Sequence, residues 1–432
     1  MPKPIPTPDG ETSWHALRAM LREGHPYAAV EVFHRALGDV FRITLPGFQP
    51  VFMAGPEAAR FVLVEARDQL RWRNEADPVT GLLRRGVLVV DGEEHDHVRG
   101  IMTPALHRRQ LEGYADIMLR RADQVMAGWP DGGTVDMLVE MRKITLLVLM
   151  DALFDVDFTP ELDRLWGAVL AAIKYVSPGL WMIWPGVPRP QLAAPIERLD
   201  AYLYRIIAER RARLAQGGEG HDLLSTLIQA GLDDDRVRDQ VLTMLIAGHD
   251  TNTALLAWSL YLLGSHPQAL ERASAEVRET LGEAPPALEC INQLEYVTCV
   301  LKEALRLYPP IHLGSRIAAA DLEYDGYRIP AGERVVYSIY LTQRDPHYWG
   351  DPDAFIPERH ASGQRQAPYT WLPFGGGPRN CIGAGFGMME GRLVLARVLQ
   401  THDVALTGRR IRPRMAATLE PRPGVEMQVR RA

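Results

Sequence analysis

The hydrophobic positions of this chain change their period along its length, and those changes divide it into regions. In the first hundred residues, alternating runs at 40–45 and 51–54 predict short strands, and the denser 56–65 predicts a helix opening on its proline. From 111 to about 283 the apolar residues recur at steps of three and four. That spacing predicts helices over 114–128, 138–154, 160–176, 196–215 and 223–231, set apart by Gly, Pro and Asp breakers. The longest run, 235–265, predicts a helix of about 30 residues, roughly 45 Å. Its second half, 254–264, is apolar nearly all round, as in a helix buried through the middle of a fold. One more helix, 293–308, stops at Pro309 and Pro310, which cannot continue it.

Beyond that point the period becomes two. Strands are predicted at 316–319, 322–324, 327–329 and 335–340, with Asp325 and Gly326 as a hairpin turn. A Pro- and Gly-punctuated stretch (342–377), a helix (385–399) and a strand (425–429) complete the chain. Segments 217–220 and 361–368 read as mobile loops. No repeat and no long linker appears, so a single domain over 1–432 is expected, mainly α with minor β.

Composition narrows the class. With 47% hydrophobic and 24% charged residues in 432, the chain can bury a sizeable core. A net charge of −6 gives no reason to expect nucleic acid as a partner. Of the 48 basic residues 44 are Arg, which reads as genomic base composition before it reads as chemistry. Three cysteines (Cys290, Cys299, Cys381) form no CxxC pair and no even framework, which points to a reducing compartment. No signal peptide and no run of 18 apolar residues is visible, so the expected location is cytoplasmic, without a transmembrane anchor.

The stretch that carries chemistry is Phe374-Gly375-Gly376-Gly377-Pro378-Arg379-Asn380-Cys381-Ile382-Gly383. Its glycines let backbone N–H groups crowd a ligand. The lone cysteine stands just ahead of a helix, whose N-terminal dipole favours a thiolate, and Gly383 leaves space over the sulfur. An anionic sulfur among N–H donors suits a stable metal–thiolate bond, although an isolated cysteine in a Gly-rich turn is more often an inert one.

This segment resembles the haem-binding loop of the cytochrome P-450 superfamily, the haem-thiolate monooxygenases, with Phe374, Gly377, Arg379, Cys381 and Gly383 at the matching offsets. The resemblance implies haem b as cofactor, Cys381 as the iron's proximal ligand and Arg379 as a partner of a haem propionate. Three further segments match in order. Glu303 and Arg306, which alone would read as a surface ion pair, resemble the pair that locks onto a downstream Arg, here Arg359 of Pro357-Glu358-Arg359. Ala247-Gly248-His249-Asp250-Thr251-Asn252 resembles the segment in which an acid and an alcohol, Asp250 and Thr251, relay protons to dioxygen as it is cleaved. There Gly248 is expected to give room beside the oxygen, Asn252 stands where the family has a second Thr and could tune the water network, and His249 has no assigned role. A mid-helix Thr bonded to its i−4 carbonyl is the plain alternative. His95 and Arg99, four residues apart on one helical face, resemble a propionate-binding pair, and Arg316 resembles another propionate-binding arginine.

The implied fold is the triangular, mostly α P-450 fold, with haem between the long helix and the cysteine-loop helix. The implied reaction places one atom of O2 in a C–H or C=C bond. Only 51 residues follow Cys381 and they hold no flavin or iron–sulfur motif. A separate donor, a ferredoxin or flavodoxin with an NAD(P)H-dependent reductase, is therefore expected. Arg99, Arg108, Arg109, Arg120 and Arg121 offer it a basic docking patch, each also readable as a solvated helix face. The apolar segment 178–188 falls where the family has its entrance lid and could admit a large lipophilic substrate, rest against a membrane surface, or pack on the core. Residues 72–90 form the family's other variable wall, with Leu82, Leu83, Val87 and Leu88 available to line it. Both lean toward a fatty acyl, terpenoid or carotenoid-like substrate. A peroxide-driven or hydroperoxide-rearranging enzyme is the alternative, and a non-catalytic haem or lipid-binding protein a third reading.

Overall fold

A helix of 32 residues, Asp234–Ser265, runs through the protein where the long apolar run predicted it. Asp233 caps it by accepting from the Arg236 N–H, and Asp234 and Asp235 sit at the positive end of its dipole. The structure, a computed structural model, describes residues 3–179, 186–408 and 410–432; the side chains of Arg108 and Arg109 fall outside it. Most of the lid segment 178–188 therefore lies outside the described residues.

The helices Met137–Phe154, Pro190–Ala215, Glu295–Leu307 and Ala384–Thr401 pack most extensively against this central one. Their apolar side chains join one continuous core, each buried Leu or Val contributing about 1.5–3 kcal/mol. Trp258 shows how firmly the middle is fixed: it stacks on Tyr308 at 3.7 Å, and its indole N–H donates to the Leu419 carbonyl at 2.7 Å. Glu295–Leu307 ends before Pro309 as expected.

A five-stranded sheet forms the second layer. Its order is Val40–Arg42, Val51–Met53, Arg334–Ser338, Leu313–Ala318, Leu70–Arg71, with Val51–Met53 parallel to Arg334–Ser338 and the other pairs antiparallel. The predicted hairpin Leu322–Tyr324/Tyr327–Ile329 forms, with Asp325 and Gly326 both at positive φ.

Several elements differ from expectation. The strand predicted over 335–340 ends at Ser338, whose hydroxyl accepts from the Leu341 N–H and starts a helical turn, Ile339–Thr342. The 56–65 helix becomes a π turn at Phe61–Glu65. Gly10–Glu23 is a helix without a core-facing stripe: only Ala16 is buried, while Trp14, Leu17 and Leu21 are exposed. Strands Arg412–Met415 and Leu419–Arg422 pair with Pro413 opposite Pro421, a composition that argues against strands. Their hairpin is anchored from outside, Leu419 N–H to the Pro310 carbonyl at 2.9 Å.

Candidate cofactor site

The cysteine loop is shaped by what it rests on. Gly377 has φ +64°, and a Cβ there would stand 2.4 Å from the Leu63 carbonyl, so the loop lies flat on the π turn only because the residue is glycine. Cys381 N–H donates to the Phe374 carbonyl at 2.8 Å, closing the loop just before the helix Ala384–Thr401. Cys381 is exposed. The crowding atoms around it push its thiol up, opposed by the Gly383 N–H and by the Arg99 guanidinium. A Cβ on Gly383 would meet no protein atom within 4 Å.

Cations surround this loop. Arg99 donates to Asn380 Oδ1 at 2.8 Å. Arg379 holds Asp91 Oδ1 at 2.6 Å and the Val90 carbonyl at 2.7 Å. Burial pulls the Arg379 pKa down to about 10, Asp91 opposing and Arg316 assisting. Asp91 was not foreseen; it also accepts from the N–H groups of Trp72 and Arg73 at 3.0 and 2.9 Å, tying three segments at one carboxylate. His95 is buried, with Nδ1 2.8 Å from Asp96 Oδ1. Burial pulls its pKa down, Asp96 opposes, and Arg379 and Arg99 add to the fall. Arg316 is buried at 8% exposure, donates to the neighbouring Ser315 carbonyl at 2.7 Å, and lies 5.8 Å from the Tyr337 ring.

Among the described residues neither Arg99 nor Arg316 has a carboxylate at ion-pair distance. A buried guanidinium without an anion is costly. Buried Arg316 and half-buried Arg99, with a lone cysteine and an open Gly383, fit a ligand that brings two carboxylates and a metal for sulfur.

On the central helix, the Thr251 hydroxyl donates to the Ala247 carbonyl at 2.7 Å, and Asp250 is buried with Thr418 and Arg142 at its oxygens. Two expectations change here, for Gly248 and Asn252. Gly248 makes room for a neighbouring helix: its Cβ would stand 2.5 Å from Leu149 Cδ1. Asn252 turns to the loop helix, where its amide donates to Glu390 Oε2. His249 is buried, Nε2 on the Arg142 carbonyl at 3.2 Å. In the proposed docking patch, Arg120 and Arg121 both pair with Asp151, at 3.0 and 2.8 Å, and Arg121 also with Asp157.

The Glu303 and Arg306 pair is fully buried, with both contacts at 2.8 Å. Arg359 reaches Glu303 at 3.4 Å, and His360, unforeseen, is closer at 3.0 Å. Arg306 also donates to the carbonyls of Gln343, Pro352 and Ala354, which pins the long irregular stretch preceding the cysteine loop.

An iron porphyrin held through sulfur is what this loop and its cations suit, and a mostly α fold built around one long helix is the frame of the haem-thiolate proteins. The model of the family described as Cytochrome P450 matches residues 6–428, and the chain belongs to that family. Its general activity is haem-thiolate monooxygenation. The chain is similar to "Putative cytochrome P450 139" of Mycobacterium tuberculosis, 30% identical over 425 residues, covering 94% of this chain and 97% of the relative. It is also similar to cyclooctatin synthase of Streptomyces melanosporofaciens, 33% identical over 411 residues, covering 91% of this chain and 87% of the relative. No helix among the described residues is long and apolar enough to cross a membrane.

Proposed function

We propose that the chain, as one domain, is a monooxygenase acting on a lipophilic substrate of the fatty acyl, terpenoid or carotenoid-like class. Bound haem b supplies the redox chemistry of O2 cleavage. Cys381 would hold the haem iron through its sulfur, and His95, Arg99, Arg316 and Arg379 would cradle the propionates. Asp250 and Thr251 hold the protons. In the conformation described, Thr251 gives its hydrogen to Ala247, so it can accept from a bound group and donates once that bond is released. A ferredoxin or flavodoxin with an NAD(P)H-dependent reductase supplies electrons. Leu82, Leu83 and Val87 are buried in the core beside the central helix and keep that wall apolar, while Leu88 is exposed.

The observation that carries this reading is Arg316, a buried cation with no carboxylate at ion-pair distance among the described residues. Its test has two sides. Arg316→Met should raise the stability of the haem-free protein, because an unpaired charge is removed, and lower haem affinity at least about tenfold. Cys381→Ser should abolish the thiolate signature in the carbon monoxide difference spectrum. Titrating the ferric protein with fatty acids, terpenoids, carotenoids and steroids, and following the low- to high-spin shift, then tests the substrate class. Unchanged haem affinity in Arg316→Met would remove the cradle from the proposal.

A further inference from the structure

Asp250 is held from two sides. Its Oδ2 accepts from the Thr418 hydroxyl at 2.7 Å, while its Oδ1 stands 3.4 Å from Arg142 Nη2. The same Nη2 donates to Glu420 Oε2 at 2.5 Å, so the guanidinium leans toward the glutamate. Three elements meet here: the central helix, the helix Met137–Phe154, and the hairpin Arg412–Met415/Leu419–Arg422. Asp250, Thr418 and Glu420 are all buried, and Arg142 Nε has no partner among the described residues. Among the described residues a further charged neighbour is Arg414, more exposed, 3.4 Å from Glu420 Oε1. His249, beside Asp250 on the same helix, is pushed down to about 3, first by burial and then by Arg142, and so is neutral.

We propose that Thr418 and Glu420 are positioning residues for Asp250: Thr418 orients its carboxyl in both protonation states, and Glu420 keeps Arg142 from closing on it. The inference rests on reading Asp250 as the proton-delivering acid. A carboxylate gripped by an arginine at full hydrogen-bond contact resists protonation. Glu420 competes for that arginine and leaves Asp250 a long, weak contact. A hydroxyl suits the other oxygen because it can donate to the ionised carboxylate and, after rotation, accept from the protonated acid. A backbone N–H could do only the first. The hairpin thereby holds the acid of the central helix from outside that helix.

The test compares holoprotein variants Asp250→Asn, Thr418→Val, Thr418→Ser and Glu420→Gln. The carboxyl band of Asp250, identified in the infrared pH-difference spectrum by its loss in Asp250→Asn, is titrated in each. Glu420→Gln should lower its midpoint by about one unit and Thr418→Val raise it by about one unit, a tenfold change in proton affinity each way. Thr418→Ser should leave it in place. An unfolding cycle across Asp250→Asn and Thr418→Val should show a coupling of about threefold or more. Midpoints unmoved in both variants, or no titration assignable to Asp250, would overturn the proposal. In parallel, each protein is supplied with NADPH, a plant-type ferredoxin with its reductase, and dodecanoic acid as lipophilic probe. Asp250→Asn should raise the share of NADPH recovered as peroxide several-fold. If the midpoints move but that share does not, the positioning stands and the role of Asp250 in proton delivery falls.

Discussion

Asn252 of the central helix donates its side-chain amide to Glu390 of the cysteine-loop helix, and Glu390 Oε1 has no partner among the described residues. The central helix and the cysteine-loop helix are thus joined by a buried carboxyl. Burial pushes that carboxyl up to about 8, opposed only by Asn252. The folded protein keeps a proton that the unfolded chain surrenders above 4.5.

Stability therefore declines as pH rises from about 4.5 to about 8 and levels off beyond, since the folded state binds the extra proton throughout that window. Glu390→Gln has no proton to lose. Its stability relative to the parent should grow across the window and reach at least about 2 kcal/mol at pH 9. Denaturant unfolding at pH 5, 7 and 9 measures this. Parallel curves for the two proteins would show that Glu390 is ionised in the fold.

Glu303 is the opposite case, a buried carboxylate with a full set of donors. Burial alone would raise it, but Arg306 and His360 hold it below its ordinary value, and the Ile356 N–H adds a bond at 3.1 Å. Glu303→Ala leaves fully buried Arg306 without an anion and should cost about 3–5 kcal/mol. Arg306→Lys should also fail, because an ammonium cannot span Glu303 and three carbonyls together. Chemical denaturation and soluble yield check both. A loss under about 1 kcal/mol would return the pair to the rank of a surface contact.

What the sequence revealed depended on whether a signal was local. The cysteine loop and the central helix were legible because contiguous residues carry them: glycines at fixed offsets in one, an all-round apolar run in the other. Glu303 and Arg306 looked like a surface pair by spacing, and only the resemblance to a family placed them inside. Thr418, Glu420 and Asp91 gave no warning, since their partners lie 168, 278 and 288 positions away. The helix Gly10–Glu23 went unread although Trp14, Leu17 and Leu21 recur at helical spacing; in the fold that stripe is exposed and marks no core. Gly248 was misread for a related reason: a sequence shows that a side chain is missing but not which neighbour fills the space.

Gly383 offers a test of the cradle that does not depend on activity. Its φ is −92°, ordinary for any residue, and the space its Cβ would enter holds no protein atom within 4 Å. Gly383→Val should change the unfolding free energy of the haem-free protein by no more than about 0.5 kcal/mol. Haem affinity should fall at least about tenfold, as the branched side chain occupies room left beside Cys381. Titration of haem into the haem-free variant, read optically, gives the answer. Equal affinity in variant and parent would place the porphyrin elsewhere.

Gly248 sets how closely the central helix approaches the helix Met137–Phe154. An added Cβ would stand 2.5 Å from Leu149 Cδ1, and Leu149 is itself 1% exposed, so its side chain has little space to retreat. Gly248→Ala gains helix propensity worth about 1 kcal/mol but meets an overpacking cost of about 1–3 kcal/mol. Net destabilisation is expected wherever the cost exceeds the gain. Leu149→Ala alone leaves a cavity and should lose about 2–5 kcal/mol. Together, Gly248→Ala and Leu149→Ala should be less destabilising than the sum of the two, because the new methyl enters the vacated space. A coupling of at least about 1 kcal/mol in the unfolding cycle would establish that this glycine serves the helix contact. Additive losses, with haem affinity reduced by Gly248→Ala, would move it back to the oxygen side of the site.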